Sequence, residues 1–124
     1  MVKQNEHVVV LGASPKPQRY SNKAIKLLIQ HGHCVTPVHP GFSEIESLNV
    51  APALRDITSP VDTLTLYVGP ERLSPMIDDI VQLKPGRVIF NPGTESAELQ
   101  QALSESDIDW LEACTLVMLN TGQF

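Results

Sequence analysis

Long apolar runs are missing from this chain: no stretch approaches the ~20 residues that a membrane span needs. Cysteine is scarce, with Cys34 and Cys114 far apart among 124 residues. That spacing fits neither a CxxC motif nor a metal knuckle, and two cysteines cannot staple a disulfide scaffold. The histidines, at positions 7, 31, 33 and 39, form no ligand set with the cysteines and acids. Basic residues are outnumbered, 9 against 14 acids, and the net charge of −5 speaks against nonspecific binding to nucleic acid or to an anionic membrane. The first residues, Met1 to His7, are polar and run straight into an apolar segment, without the layout of a secretory signal. Cytosol is therefore the expected compartment.

What is present is an ordinary globular composition: 42% apolar, 19% charged and 5% aromatic, which excludes disordered and collagen-like classes. A length of 124 residues suits one domain spanning 1–124, with a core that needs no metal or disulfide. Charge is unevenly spread. Residues 1–43 carry Lys3, Lys16, Arg19, Lys23 and Lys26 against Glu6 alone, a net +4, while residues 44–124 carry four basic residues against 13 acids, a net −9. A locally basic third in an acidic chain suits a bound anion.

Val8-Val9-Val10-Leu11, closed by Gly12, reads as a buried parallel strand. Pro15 and Pro17 keep the following loop out of helix, and Ser21 or Asn22 is the expected N-cap of a helix whose stripe is Ala24, Ile25, Leu27, Leu28 and Ile29. Residues 33–38 form a second strand that Pro37 is expected to pull out of the ladder near its end. Further strands are read at 63–68, 87–91 and 108–111, with helices from Pro70 or Ser74 to about Leu83 and over 95–104. Periodicity leaves the tail, 114–119, open between strand and helix. The alternation of strand and helix predicts a doubly wound α/β domain with about five mainly parallel strands.

In such sheets ligands sit beyond the carboxyl ends of the strands, which nominates the loops 12–22, 38–43, 68–74 and 91–96. The first of these feeds a helix N-terminus, where free N–H groups and the helix dipole favour phosphate. Lys16, Arg19 and Lys23 lie in or beside it, Ser14, Ser21 and Asn22 supply short donors, and Gly12 admits close approach. A nucleotide diphosphate is the natural occupant. The GxGxxG fingerprint is reduced to its first glycine, and no carboxylate follows the second strand before Glu44. Val38-His39-Pro40 stands there instead, which suits a ribose bearing its own phosphate, with His39 as a donor, as in NADP or a 3′-phosphorylated ADP. GxxxxGK[ST] is absent, the second glycine of a nucleophile elbow is missing, and Tyr20 and Lys23 are three apart rather than four. No nucleophile, base and orienting group assemble from neighbours. The residues point to binding, and assign no catalytic or metal-binding role.

Gly12-Ala13-Ser14 followed by Arg19 and Ser21, then Val38-His39-Pro40, then Pro60-Val61-Asp62 before a strand, resembles the CoA-binding domain family. These are stand-alone Rossmann-like proteins similar to the N-terminal domain of the succinyl-CoA synthetase α subunit. The resemblance runs from about residue 6 to 115. It implies coenzyme A, free or acylated, with its phosphates over the 12–22 loop, backbone donors from Gly12, Ala13 and Ser14, and Arg19 and Ser21 as charge and hydroxyl partners. It further implies adenine between the turns at 39–41 and 68–70, against Pro40, Val68, Gly69 and Pro70. The synthetases work through a phosphohistidine on a further domain; no histidine follows His39 here, so that chemistry is not carried over. Two other readings stand beside it: a small NADP-binding oxidoreductase, and an interaction protein with a vestigial cleft. A homo-oligomer or a protein partner is left open. Cys114 is placed near the CoA thiol or in the core, Tyr67 against adenine or in the core, Trp110 between the last strand and the tail, and Arg72 and Arg87 in solvent.

Overall fold

A computed structural model describes residues 5–124. Five parallel strands form the central sheet: β1 (His7–Leu11), β2 (Cys34–Val38), β5 (Thr63–Leu66), β6 (Arg87–Phe90) and β7 (Asp109–Glu112), in the order β2-β1-β5-β6-β7. Val8, Val9 and Val10 are wholly buried because β1 lies mid-sheet with helices on both faces, which is why its sequence is a continuous apolar run. Alternation divides the core. Val9, Leu11, Leu64, Leu66 and Phe90 meet the helices α3 (Ile77–Leu83) and α4 (Ala97–Glu105); Val8, Val10 and Ile89 meet α1 (Tyr20–Gln30) and α5 (Thr115–Asn120). This is the doubly wound Rossmann-like α/β fold that the sequence predicts. No helix among the described residues is long and apolar enough to cross a membrane.

Several local expectations change. Pro37 stays in the ladder opposite Val10, because β2 is an edge strand and the missing N–H faces outward. Its carbonyl, on that outer side, accepts Ala51 N–H at 2.9 Å. Residues 44–49 form a small hairpin, β3 (Glu44–Ile45) with β4 (Leu48–Asn49), turned through Glu46 (φ 51°) and Ser47 (φ 64°). The single helix expected over 70–83 is broken into α2 (Pro70–Leu73), a 3-10 turn at Ser74–Met76 and α3, since Pro75 has no N–H to continue the ladder. The tail is helical: Met118 and Leu119 of α5 pack with Ile25 and Leu28 of α1, while Ile29, expected in the α1 stripe, is 42% exposed.

At the amino ends of the strands, Arg87 is not solvated. Its Nε donates to Thr63 Oγ1 at 2.9 Å, its guanidinium lies 3.6 Å from the buried Glu6 carboxylate, and it stacks 4.6 Å over the Phe124 ring. Glu6 also accepts from Thr63 Oγ1 at 2.5 Å, and its backbone N–H donates to His33 Nδ1 at 3.0 Å. Trp110 packs edge-on against Phe90 on the α4 side, its indole N–H given to Ser104 Oγ at 2.9 Å, so it lies across the sheet from the tail helix.

Candidate functional site

Strand order reverses at β1: α1 carries the chain to β2 on one side, and β5 returns on the other. The carboxyl ends of β1 and β5 therefore open a crevice between their loops. A cleft of about 540 Å³ lies there, lined from the first loop by Gly12, Ala13, Ser14, Arg19 and Ser21, from the second by His39, and from the third by Val68 and Gly69. Gly12, His39 and Val68 also line a smaller, mainly apolar compartment of about 230 Å³, which adds Pro40. The two hollows thus form one groove.

The loop from β1 to α1 leaves donors free for a specific reason. Arg19 occupies the N-cap position in extended backbone, and its side chain caps nothing. Intrahelical bonding starts only with Lys23 N–H to Arg19 O, at 3.1 Å, so the N–H groups of Tyr20, Ser21 and Asn22 have no acceptor among the described residues. Ser21 and Asn22, expected as caps, lie inside that first turn. The first amides of the loop are already used: Gly12 and Ala13 N–H both donate to Val38 O, at 3.2 and 3.3 Å. They fix the floor of the groove, and the free donors come from the helix.

Charge focuses on the same place. Lys16, Arg19 and Arg72 line the larger hollow, no carboxylate does, and none of the three is in an ion pair with a described residue. His39 Nδ1 accepts Gly41 N–H at 2.8 Å, which puts the proton of the neutral ring on Nε2 as a donor. The exposed rings of Tyr20 and Phe42 stand at the rim, Phe42 4.6 Å from the His39 ring.

The described part of the chain matches the family described as a CoA binding domain over residues 6–120. The chain belongs to that family. A crystal structure of an uncharacterised protein, 38% identical, superposes with a TM-score of 0.87 over 98% of this chain and 100% of its own. A Thermus thermophilus protein, 28% identical, gives 0.89 over 96% and 90%. The uncharacterised YneT of Bacillus subtilis (strain 168) is 22% identical over 105 residues, 85% of this chain and 78% of its own.

Within this CoA-binding domain, two of the residues singled out from sequence stand apart from the groove. Asn22 is fully buried, its amide donating to Ser14 O at 2.9 Å and Glu46 Oε2 at 3.1 Å, so it braces the loop from beneath. Pro70 begins α2 and lines neither hollow. Conversely, Arg72, read as solvated, lines both. So does the loop after β6 contribute, through Pro92, Gly93 and Thr94. Topology had nominated that loop, but Pro92, Gly93 and Thr94 themselves signalled no ligand. Thr94 is held by its Oγ1 on Asn91 O at 2.8 Å, and Glu95 turns back to accept Gly93 N–H at 2.9 Å instead of sitting in the first turn of α4.

Beneath the groove a polar cluster joins the sheet to the tail helix. Asn91 Nδ2 donates to Thr65 Oγ1 and Leu66 O, at 2.7 and 2.8 Å, and Asn91 Oδ1 accepts Thr115 N–H at 2.9 Å. Thr65 and Thr115 share a hydroxyl bond of 2.8 Å. Tyr67 lines the cleft beside this cluster. Burial pushes its phenol up to about 12, against the opposing pull of the Thr115 and Thr65 side chains, so it stays neutral. Cys114 stands half-buried at the N-cap position of α5.

Proposed function

We propose that this domain binds coenzyme A or an acyl-CoA in the cytosol, as a binding module without catalysis of its own. The diphosphate rests over the uncapped start of α1, facing the Tyr20 and Ser21 amides, the Ser21 hydroxyl and Arg19. The adenine enters the apolar compartment beside Pro40 and Val68, and pantetheine runs out past Gly69 and the 92–94 loop. What carries this reading is the combination of three unpaired cations with an uncapped helix start, in a cleft free of carboxylate and continuous with an apolar hollow. An anionic head joined to a flat apolar base matches that pairing, and the family's description names such a ligand.

NADP binding is the second reading, favoured by the phosphate-tolerant end of β2, where His39 stands in place of an acid. Calorimetry with CoA, dephospho-CoA, NADPH and ADP separates the two. Tightest binding of CoA is expected. Tighter NADPH binding supports the oxidoreductase, and silence from all four leaves a vestigial cleft.

A further inference from the structure

The smaller compartment is walled by Val38, Pro40, Pro52, Leu54 and Met76, yet one acidic residue, Asp79, lines it. Asp79 lies in the first turn of α3 beside Asp78. Interaction with the helix dipole accounts for an acid at either position. It does not account for the difference between them: Asp78 is exposed, whereas Asp79 is half-buried on the compartment wall. Asp79 forms no hydrogen bond or ion pair with a described residue, although Arg72 lines the same hollow. A carboxylate facing an apolar wall is costly unless a donor meets it.

We infer that Asp79 selects the base, accepting an N–H from the 6-amino group of adenine and repelling the 6-oxo group of hypoxanthine or guanine. The inference rests on the nucleotide reading above and adds which purine the compartment takes. Its chemistry is simple. A carboxylate only accepts hydrogen bonds, adenine offers two N–H donors at C6, and a 6-oxopurine presents an acceptor there. His39 and Arg72 line both hollows and so stand at their junction, whereas the residues that line this compartment alone are apolar apart from Asp79, so discrimination between bases falls to this one group.

The test compares CoA with the CoA analogue that carries hypoxanthine in place of adenine, two ligands with the same phosphates and pantetheine. The wild-type protein is expected to bind CoA at least roughly tenfold more tightly, the scale of one charge-assisted hydrogen bond. Asp79→Asn, whose amide can donate to the oxo group, is expected to narrow the ratio to within about threefold by that same reasoning, chiefly by raising affinity for the analogue. Equal binding of both ligands by the wild type overturns the inference without any variant. So does an Asp79→Asn protein that keeps the full ratio, or one that loses affinity for both ligands equally, which would place Asp79 on the ribose. CoA binding without base preference overturns this inference alone; absence of any CoA binding overturns it together with the proposed function.

Discussion

Gly12 lies so close to Val68 that a Cβ built on it would stand 2.7 Å from Val68 Cγ1 and 2.9 Å from the Tyr67 carbonyl oxygen. Its φ of +87° is one that side chains rarely adopt. The end of β1 and the end of β5 can therefore meet at the strand-order reversal only through a glycine. Gly12→Ala is expected to lower the unfolding free energy by about 1–3 kcal/mol, from left-handed strain plus the forced shift of Val68. Urea unfolding measures this, and an unchanged midpoint would mean that the two loops do not pack as described.

Arg19 is the one groove cation at the uncapped helix start itself. Loss of a charge-assisted phosphate contact costs about 1.5–3 kcal/mol, or roughly 10- to 150-fold in affinity. Arg19→Ala should weaken CoA binding by that factor while leaving the melting temperature of the free protein near wild type, because the guanidinium pairs with no described residue. A variant that binds CoA as tightly as the parent removes Arg19 from the site.

Arg72 and His39 stand where the two hollows join. In a nucleotide laid along the groove, the ribose and its 3′-phosphate fall between base and diphosphate, at that junction. The wild type should prefer CoA to dephospho-CoA, and Arg72→Ala should erase most of the preference, about tenfold on the scale of one ionic hydrogen bond. An undiminished preference in titration calorimetry assigns the 3′-phosphate elsewhere.

Burial holds the His33 imidazole below its ordinary value, against the opposing pull of Glu6. Its Nδ1 accepts the Glu6 N–H, a bond that protonation of that nitrogen removes. The unfolded chain, with an ordinary pKa of about 6.5, takes up its proton first on acidification. The stabilisation is complete above that value and is lost as pH falls from about 6.5 through the lower folded value. Urea midpoints at pH 7.5 and 5.5 should show this decline, and His33→Asn, which keeps an acceptor but not the titration, should flatten it. An equally steep decline in the variant would move its origin to other groups.

How much of this was legible in the sequence follows from which interactions are local. Strands β1 and β5 and the first loop announce themselves because apolar-rich runs ended by Gly12 and Gly69 need no tertiary information. The role of Asn22 lay partly in view: Ile25 and Leu28 of α1, followed back by three and four residues, lead to Ser21 and Asn22 on the buried side. The hairpin at 44–49 had no Asn-Gly signal, since Glu46 and Ser47 adopt positive φ without it. Arg72 and Thr94 escaped for a different reason. They come from α2 and from the loop after β6, and only the packing of those segments around the strand ends brings them to the groove that β1 begins.

The central claim is that an anion settles on the uncapped start of α1, and backbone amide shifts in a CoA titration followed by NMR test it most directly. The largest shifts are expected at Ser14 and at Tyr20, Ser21 and Asn22, with smaller ones at His39 and Gly69. Shifts confined to another hollow of the molecule, such as the one lined by Thr36, Asn49 and Thr58, with the α1 amides unmoved, would contradict it.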